Sequence, residues 1–385
     1  MKQPKGFEED AYPHYVCKLK KSIYRLKQSP RLWFQTLSDH LHNIGFIAGK
    51  ADTSLFIWNK DNVQLYMVIY IDDILLTGNS SEMINTTLEQ LRNKFDMKHL
   101  GSANSFLGIQ ITRHHNSFFL SQSKYAITIL ENAGMKTSKH LANPSQTKLS
   151  DSQASTVLGS DPMLYRHLVG ALQYLTLTRP DISFVVNSLC QQMHNPMPTD
   201  FQLLQRLLRY VNAMFTFGLP ISQGTTELQS FSDADWAGDK NTRRSTSGYC
   251  TFLGNTLISW SVKKQPTVAR SSTEAEYRSI AAALTDIIWL RRLLLDFNIS
   301  LSSPTKLYCD STSAIALANN PVFHARTKHI EIDHHFIKDH IDTKTVNILP
   351  ISTKDQVADI FTKHLSTPRY QLLRDKLTVQ LNPLA

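Results

Sequence analysis

Two adjacent aspartates interrupt an apolar, alternating stretch near residue 70. The segments 65–70 and 74–77 alternate in polarity, and Ile71-Asp72-Asp73 joins them. This pattern predicts a β-hairpin with both carboxylates at its tip, because only a turn lets adjacent strand residues approach one site. Carboxylates beside apolar strands are costly unless a cation accompanies them, so the tip is a candidate site for metal-dependent phosphoryl transfer. A plain turn, in which aspartate is common, is the alternative.

The remaining residues predict a chain of three parts. In the first, 1–140, amphipathic helices flank the hairpin and a short β pair follows. The second, 141–224, opens with a polar linker rich in Ser, Thr and Gln and continues as helices broken at prolines. The third, 225–385, alternates strands and turns before a long helix, a strand and more helix. We therefore predict an α/β and α+β multidomain chain that ends in a mixed α/β domain.

Four carboxylates of the third part lie where predicted strands end or on predicted helices. They are Asp233, Glu276, Asp310 and Asp359. Hydrolysis of a phosphodiester by two metal ions needs several carboxylates from separate elements that converge on one point. Asp235 would share the strand face of Asp233, so the strand pattern alone does not choose between these two.

These carboxylates also have structural alternatives. Glu274 occupies a capping-box position and can pair with Arg278 one helical turn later, which gives Glu274 a structural role. Glu276 instead shares a face with apolar residues, where an unpaired carboxylate is costly, so we interpret it as a metal ligand. Asp310 would otherwise cap a helix, and Asp359 would otherwise be a solvated surface charge.

The overall charge is basic, with 41 Lys and Arg against 32 Asp and Glu and a formal net charge of +9. A basic chain favours a polyanionic partner, because neutralising phosphates releases counterions. The four cysteines are scattered without a Cys-x-x-Cys pair, which argues against a structural zinc site and a disulfide framework. No apolar run approaches the roughly 20 residues that span a bilayer, so we expect no membrane partner.

Several segments resemble the Pol polyproteins of copia-type LTR retrotransposons, and the resemblance extends over essentially the whole chain. The stretch 65–78 resembles the active-site hairpin of the family's reverse transcriptase, and 26–33 its dNTP- and template-contacting segment. The segments 106–109, 165–170 and 178–182 continue the match. The four carboxylates resemble the Asp-Glu-Asp-Asp set of the family's ribonuclease H domain.

The resemblance implies a truncated reverse transcriptase palm with a helical thumb or connection, followed by a ribonuclease H-like domain. It implies two Mg²⁺ ions per site, held by Asp72 and Asp73 in the palm and by the four carboxylates in the last domain. Gln28 would contact nucleic acid. The implied partners are template-primer nucleic acid, an RNA/DNA hybrid and other segments of the Pol polyprotein. The implied location is a cytoplasmic virus-like particle, with the nucleus as an alternative.

Two departures from the family bear on polymerisation. The family's third palm aspartate lies on a strand upstream of the segment that resembles residues 1–7, where this sequence begins. We therefore expect Asp72 and Asp73 to hold metal ions poorly. Arg25 stands where the family usually has glycine. If that position needs a positive φ, arginine is unfavourable there. Both departures predict that this chain does not polymerise by itself.

Two further groups are candidates for contacts outside the carboxylate sites. Arg243, Arg244 and Ser245 follow the first strand of the third part, and guanidinium forks and hydroxyls suit phosphate oxygens; a solvated loop is the alternative. The histidine-rich stretch 329–340 has no zinc spacing, so we interpret it as a helix packed on the sheet.

The leading hypothesis for function is hydrolysis of RNA in RNA/DNA hybrids by the C-terminal domain, beside an impaired polymerase half. The alternative is a non-catalytic remnant that binds nucleic acid. The presence of all four carboxylates favours the enzyme. The departures in the palm favour a partly decayed remnant that has lost activity.

Overall fold

A computed structural model describes residues 2–20, 23, 26–145, 161–320 and 330–383. The chain divides into two compact units, Met1–Gly101 and Ser102–Ala385. The boundaries at 140 and 224 stay a prediction, and Arg25, His329 and most of the predicted linker lie outside the described residues. Within the described ranges, no helix combines the length and the apolar character needed to cross a membrane.

The first unit is a four-stranded antiparallel sheet with two helices. Its strands, in sheet order, are β1 (Ile47–Ala48), β2 (Leu55–Lys60), β3 (Val63–Tyr70) and β4 (Asp73–Gly78), and its helices are α1 (Ser29–Asn43) and α2 (Ser81–Lys94). Alternation along β3 buries Leu65, Met67 and Ile69, which pack with Leu37 and Leu41 of α1. Apolar alternation thus forms this core. The predicted hairpin is confirmed as β3 and β4.

The hairpin tip is a tight turn held by an indole. Tyr70 pairs with Asp73, which leaves Ile71 and Asp72 as the turn residues. Ile71 has a φ of +53°, a left-handed conformation that is unfavourable for a β-branched side chain. Trp33 of α1 donates its Nε1–H to the carbonyl oxygen of Ile71 at 2.9 Å. The helix therefore helps to fix the turn that presents the two aspartates.

The second unit contains two five-stranded sheets. One is antiparallel, in the order β14-β8-β7-β6-β5, and consists of β5 (Ser105–Phe106), β6 (Ile109–His114), β7 (Ser117–Ser121), β8 (Phe217–Ile221) and β14 (Gln380–Leu381). The other has the order β11-β10-β9-β12-β13 and consists of β9 (Leu228–Ala234), β10 (Thr246–Leu253), β11 (Thr256–Lys264), β12 (Thr305–Cys309) and β13 (Val346–Pro350). In the latter sheet β9, β10 and β11 are antiparallel, whereas β9, β12 and β13 are parallel. This mixed sheet confirms the predicted α/β class.

Helices cover both faces of the mixed sheet. The helices of the unit are α3 (Ser123–Asn132), α4 (Pro162–Leu175), α5 (Ser183–Cys190), α6 (Pro198–Ala213), α7 (Ser272–Asp296), α8 (Thr312–Asn319), α9 (Glu331–Asp342) and α10 (Thr367–Lys376). On one face, α7, α8 and α9 share a core with Leu307 and Ile348. On the other face, α3 to α6, α10 and the 3-10 turn Val357–Phe361 share a core with Cys250 and Phe252. The long helices of 162–213 and the C-terminal helix are thus parts of one hydrophobic core.

A buried ion pair ties α6 and α10 together. Arg179 donates to both carboxylate oxygens of Asp181, at 2.9 and 2.8 Å, and both side chains are almost wholly buried. The hydroxyl of Tyr210 in α6 donates to Asp181 Oδ2 at 2.6 Å, and that of Tyr370 in α10 donates to the Asp181 carbonyl oxygen at 3.0 Å. Burial raises the pKa of Asp181, but the charge and hydrogen bonds of Arg179 outweigh it and the pKa is lowered.

Candidate active site

The four carboxylates that the sequence singles out in the C-terminal part lie together. Asp233 is near the end of β9 and Asp310 follows β12, and these neighbouring parallel strands end at the same edge of the sheet. One ligand oxygen each of Asp233, Asp310 and Asp359 lies within 4.8 Å of the others. The same limit holds for Glu276, Cys309 and Asp310. Asp310 thus belongs to both groups, and the four carboxylates form one cluster at the sheet edge.

The structure separates Asp233 from its neighbour Asp235. Asp233 is fully buried and lies in the cluster. Asp235 accepts a hydrogen bond from the Thr246 backbone N–H and so closes the start of β10. Burial raises the pKa of Asp235 to about 6. The strand pattern did not choose between these two aspartates. In the structure Asp233 lies in the cluster, and Asp235 bonds the backbone at the start of β10.

The first turns of α7 give Glu274 and Glu276 different surroundings. Glu274 accepts from the Arg270 backbone N–H at 2.8 Å and pairs with Arg278 at 2.7 Å, as the capping pattern predicts. Glu276 is 8% exposed and faces the cluster. Burial, together with the charges of Asp233 and Asp310, raises the pKa of Glu276 to about 9. This carboxyl is therefore uncharged at neutral pH unless a cation is near.

Cations of the protein itself already contact the cluster. Lys363 Nζ lies 2.9 Å from Asp233 Oδ1 and 2.5 Å from Asp359 Oδ1, and an Arg369 nitrogen lies 3.1 Å from Asp359 Oδ2. Burial raises the pKa of Asp233, and Lys363 opposes that shift. Sequence reasoning did not identify Lys363. Its local signal is its position four residues after Asp359, the spacing of an ion pair along one helical turn.

The donor set suits a hard divalent cation. Carboxylate oxygens are the ligands that Mg²⁺ prefers, and three carboxylates from three separate elements meet within one ion's reach. Glu276 adds a fourth, buried carboxyl group beside Asp310. The residues present therefore fit the Mg²⁺ that the sequence resemblance implies.

The aspartates of the first unit are arranged differently. Asp72 and Asp73 are both exposed at the hairpin tip, and Gln28, just before α1, is exposed as well. Within the described residues, the groups of three metal-ligating side chains include neither Asp72 nor Asp73. The structure thus brings the four C-terminal carboxylates together and gives the hairpin pair no third ligand in the described part of the chain.

The loop between β9 and β10 holds the predicted phosphate contacts. Arg243 and Arg244 are exposed, and Arg243 has a φ of +55°. Ser245 is fully buried, and its hydroxyl accepts from the Ala237 backbone N–H at 3.0 Å. Ser245 therefore lies inside the loop rather than at its surface. The two arginines are placed where a phosphate could reach them.

The described part of the histidine-rich stretch lies in and just before α9. His334 is buried on this helix, which shares the core beneath α7. None of the described histidines joins a group of three metal-ligating side chains. The described part of the stretch is thus a helix packed in the domain.

Comparison with known proteins identifies the family to which the chain belongs. Residues 1–147 match the family described as reverse transcriptase (RNA-dependent DNA polymerase). The Pol polyprotein of transposon RE1 from Arabidopsis thaliana is 43% identical over 384 residues, which are 100% of this chain and 26% of that protein. An uncharacterised mitochondrial protein of the same plant is 53% identical over 226 residues, 58% of this chain and 94% of that protein. The chain belongs to the copia-type retrotransposon Pol polyproteins.

The chain corresponds to only part of its relatives. It spans about a quarter of the length of the RE1 polyprotein. The Pol polyprotein of transposon TNT 1-94 from Nicotiana tabacum is 33% identical over 392 residues, which are 99% of this chain and 29% of that protein. Among solved structures, an N-terminal ribonuclease H domain from Mycobacterium tuberculosis covers 39% of this chain and 98% of that chain, at 13% identity and a TM-score of 0.28. The family assignment rests on the sequence relatives.

Proposed function

We propose that the carboxylate cluster of this Pol polyprotein segment hydrolyses the RNA strand of RNA/DNA hybrids with Mg²⁺. The observation that carries the proposal is the convergence of Asp233, Asp310 and Asp359 within 4.8 Å, with Glu276 beside Asp310. Bringing buried carboxylates together is costly, and a fold does so chiefly where a cation will bind. Membership in a retrotransposon Pol family makes a hybrid of RNA and DNA the fitting substrate.

The protein's own residues hold the four carboxylates in place. When bound, two divalent cations activate a water molecule and stabilise the leaving oxygen of the phosphodiester. The strands β9 and β12 fix Asp233 and Asp310 at one edge, and the turn Val357–Phe361 brings Asp359 to them. Complete burial of Asp233 lowers the local dielectric constant and strengthens its attraction for cations. Thr353 donates to Asp310 Oδ2 at 3.0 Å and orients that carboxylate.

The same proposal assigns the exposed arginines to the substrate. Arg243 and Arg244 lie in the loop that follows β9, the strand that carries Asp233. Arginine forks bind phosphate oxygens in pairs, and such contacts position a nucleic acid without reading its sequence. We therefore propose that this loop contacts the phosphate backbone of the hybrid.

For the first unit we propose that the chain alone does not extend a primer. Asp72 and Asp73 are exposed and lack a third carboxylate among the described residues. Two solvated carboxylates supply only part of the six oxygen ligands of Mg²⁺, so other protein groups or substrate phosphates would have to complete the site. Primer extension by the purified chain, lost on Asp72→Asn, would contradict this proposal.

The deciding experiment is cleavage of a labelled RNA/DNA hybrid by the full chain with Mg²⁺ and with EDTA. Asp310→Asn keeps a side-chain oxygen for Thr353 and removes the charge, so we expect cleavage to disappear. Asp355→Asn is the matched control, because Asp355 is an exposed aspartate that pairs with Lys376 at 2.9 Å, and we expect full cleavage. A folded wild-type chain that binds the hybrid without cutting it would favour the non-catalytic remnant.

A further inference from the structure

The ammonium group of Lys363 lies between two carboxylates of the cluster. Its Nζ is 2.9 Å from Asp233 Oδ1 and 2.5 Å from Asp359 Oδ1, so one cation bridges both aspartates. Lys363 is itself 37% exposed at its side chain, whereas Asp233 and Asp359 are 0% and 5% exposed. The bridging group thus reaches inward from the surface, and its side chain has a path back to solvent.

The other two oxygens of these aspartates are engaged as well. Asp233 Oδ2 accepts from the Thr362 hydroxyl, and Asp359 Oδ2 accepts from Arg369 at 3.1 Å. All four oxygens of the pair therefore have donors from the protein. Thr362 and Lys363 come from the residues directly after the turn that carries Asp359. A short local segment thus supplies both a ligand and the cation that neutralises it.

A divalent cation and the Lys363 ammonium group would compete for the same position between the two aspartates. Asp233 and Asp359 would hold a divalent cation with the same carboxylates that now face Nζ. An ammonium and a divalent cation repel each other strongly at such distances in a partly buried site. Thr362 and Arg369 bind the opposite oxygens, so they can stay and hold both carboxylates in position.

We propose that Lys363 is a resident counter-cation that a divalent metal ion displaces from the Asp233–Asp359 pair. This inference rests on the proposed function, since it takes the pair as metal ligands. Without metal, Lys363 keeps two neighbouring buried carboxylates from repelling each other and so stabilises the fold. With metal, the side chain turns toward solvent. Lys363 therefore sets the concentration of metal at which the site fills.

The first test is Mn²⁺ binding by the full chain without nucleic acid, measured by titration calorimetry. Asp310→Asn identifies the part of the signal that belongs to the cluster. Lys363→Met keeps the side-chain length and removes the competing charge, so we expect at least about tenfold tighter binding. Lys376→Met is the matched control, because Lys376 pairs with exposed Asp355 and should leave the affinity unchanged.

The outcomes separate the two proposals. A wild-type isotherm identical to that of Asp310→Asn would contradict the proposed function itself. A cluster-specific wild-type isotherm that Lys363→Met leaves unchanged, or weakens, would overturn only the role of Lys363. Lys363→Arg keeps the charge, and we expect its affinity to stay within about threefold of wild type.

Thermal unfolding gives a second measurement that does not depend on activity. In EDTA, Lys363→Met should lower the melting temperature, because it removes the cation that bridges the two buried carboxylates. Added Mn²⁺ should raise the melting temperature of this variant more than that of wild type, since a ligand that binds the folded state more tightly stabilises it more. Lys363→Gln, which keeps a donor, should behave in the same way. Neutral variants that fold only with Mn²⁺ would support the proposal, and variants that stay unfolded with Mn²⁺ would overturn it.

Discussion

Asp72 and Asp73 lie at an exposed hairpin tip, whereas Asp233 and Asp359 are buried beside the ammonium of Lys363. The first pair comes from one turn and needs no long-range contact to form. The second pair comes from β9 and a 3-10 turn far along the chain, brought together by the sheet and the core. The two pairs therefore differ in whether tertiary contacts are needed to bring their carboxylates together.

Solvation explains why the buried pair has a cationic partner and the exposed pair has none among the described residues. Water screens the repulsion between two exposed carboxylates, so the hairpin tip is stable without a partner. Burial removes that screening, so a counter-charge stabilises the C-terminal pair in its ionised form. In electrostatic terms the buried cluster therefore suits a bound cation, as the proposed function requires, whereas the exposed pair is stable in water without one.

The largest expected effect contrasts the two pairs directly. Asp233→Asn neutralises a buried carboxylate of the proposed metal site, so we expect hybrid cleavage to fall by about a thousandfold or more, the loss expected when a group acting on the transition state is removed. Asp72→Asn changes an exposed residue of the other unit, and cleavage should stay within about twofold of wild type. Initial rates with a labelled hybrid and Mg²⁺ measure both.

Equal losses in both variants would break this comparison, because the hairpin would then take part in hybrid cleavage. Folding of Asp233→Asn should be checked by circular dichroism in EDTA. Asp235→Asn provides an additional control, since Asp235 bonds the Thr246 backbone rather than the cluster.

The next largest effect concerns the ion pair beneath the C-terminal helix. Asp181→Asn leaves the almost wholly buried Arg179 without its charge partner, and we expect a loss of about 3 kcal/mol in the free energy of unfolding. Denaturant unfolding of the full chain measures it. Asp375→Asn is the control, because Asp375 is an exposed partner of Arg374, and its loss should stay below about 1 kcal/mol.

The same pair predicts a pH dependence. The pKa of Asp181 is lowered in the folded chain, so its contribution is present above the unfolded value near 3.8 and is lost as pH falls below that value. Wild type should therefore lose stability more steeply than Asp181→Asn as the pH drops from about 4 to 2. Parallel curves for the two proteins would show that Asp181 is not ionised in the fold.

The sequence allowed prediction of features whose signals are local. The hairpin follows from alternation over a few residues, and Glu274 differs from Glu276 through capping and helical spacing. The ion pair between Lys363 and Asp233 joins residues 130 positions apart, and no local sequence pattern around either residue indicates it. Burial of Ser245 also depends on packing, which a loop sequence does not reveal. Tertiary contacts therefore account for the parts of the site that sequence reasoning missed.

A smaller effect is expected where α1 holds the hairpin. Trp33→Phe keeps an aromatic ring and removes the donor to the Ile71 carbonyl, so the first unit should lose about 1 kcal/mol. Hydrogen exchange of the β3 and β4 amides should become faster, and exchange in β9 should not change. Faster exchange in both sheets would mean that the two units unfold together, which would weaken the contrast drawn above.

The smallest effect tests the turn residue itself. Ile71 has a φ of +53° and is 57% exposed, so its side chain gains little burial in return for an unfavourable backbone conformation. Glycine adopts this conformation freely and is preferred at the first position of tight hairpin turns of this kind. Ile71→Gly should therefore stabilise the first unit by roughly 0.5 kcal/mol, after the greater chain entropy of glycine is subtracted. Denaturant unfolding followed at the tryptophans of this unit measures it, and a loss of stability would mean that the Ile71 side chain, despite its exposure, packs against the hairpin and helps to hold the two aspartates.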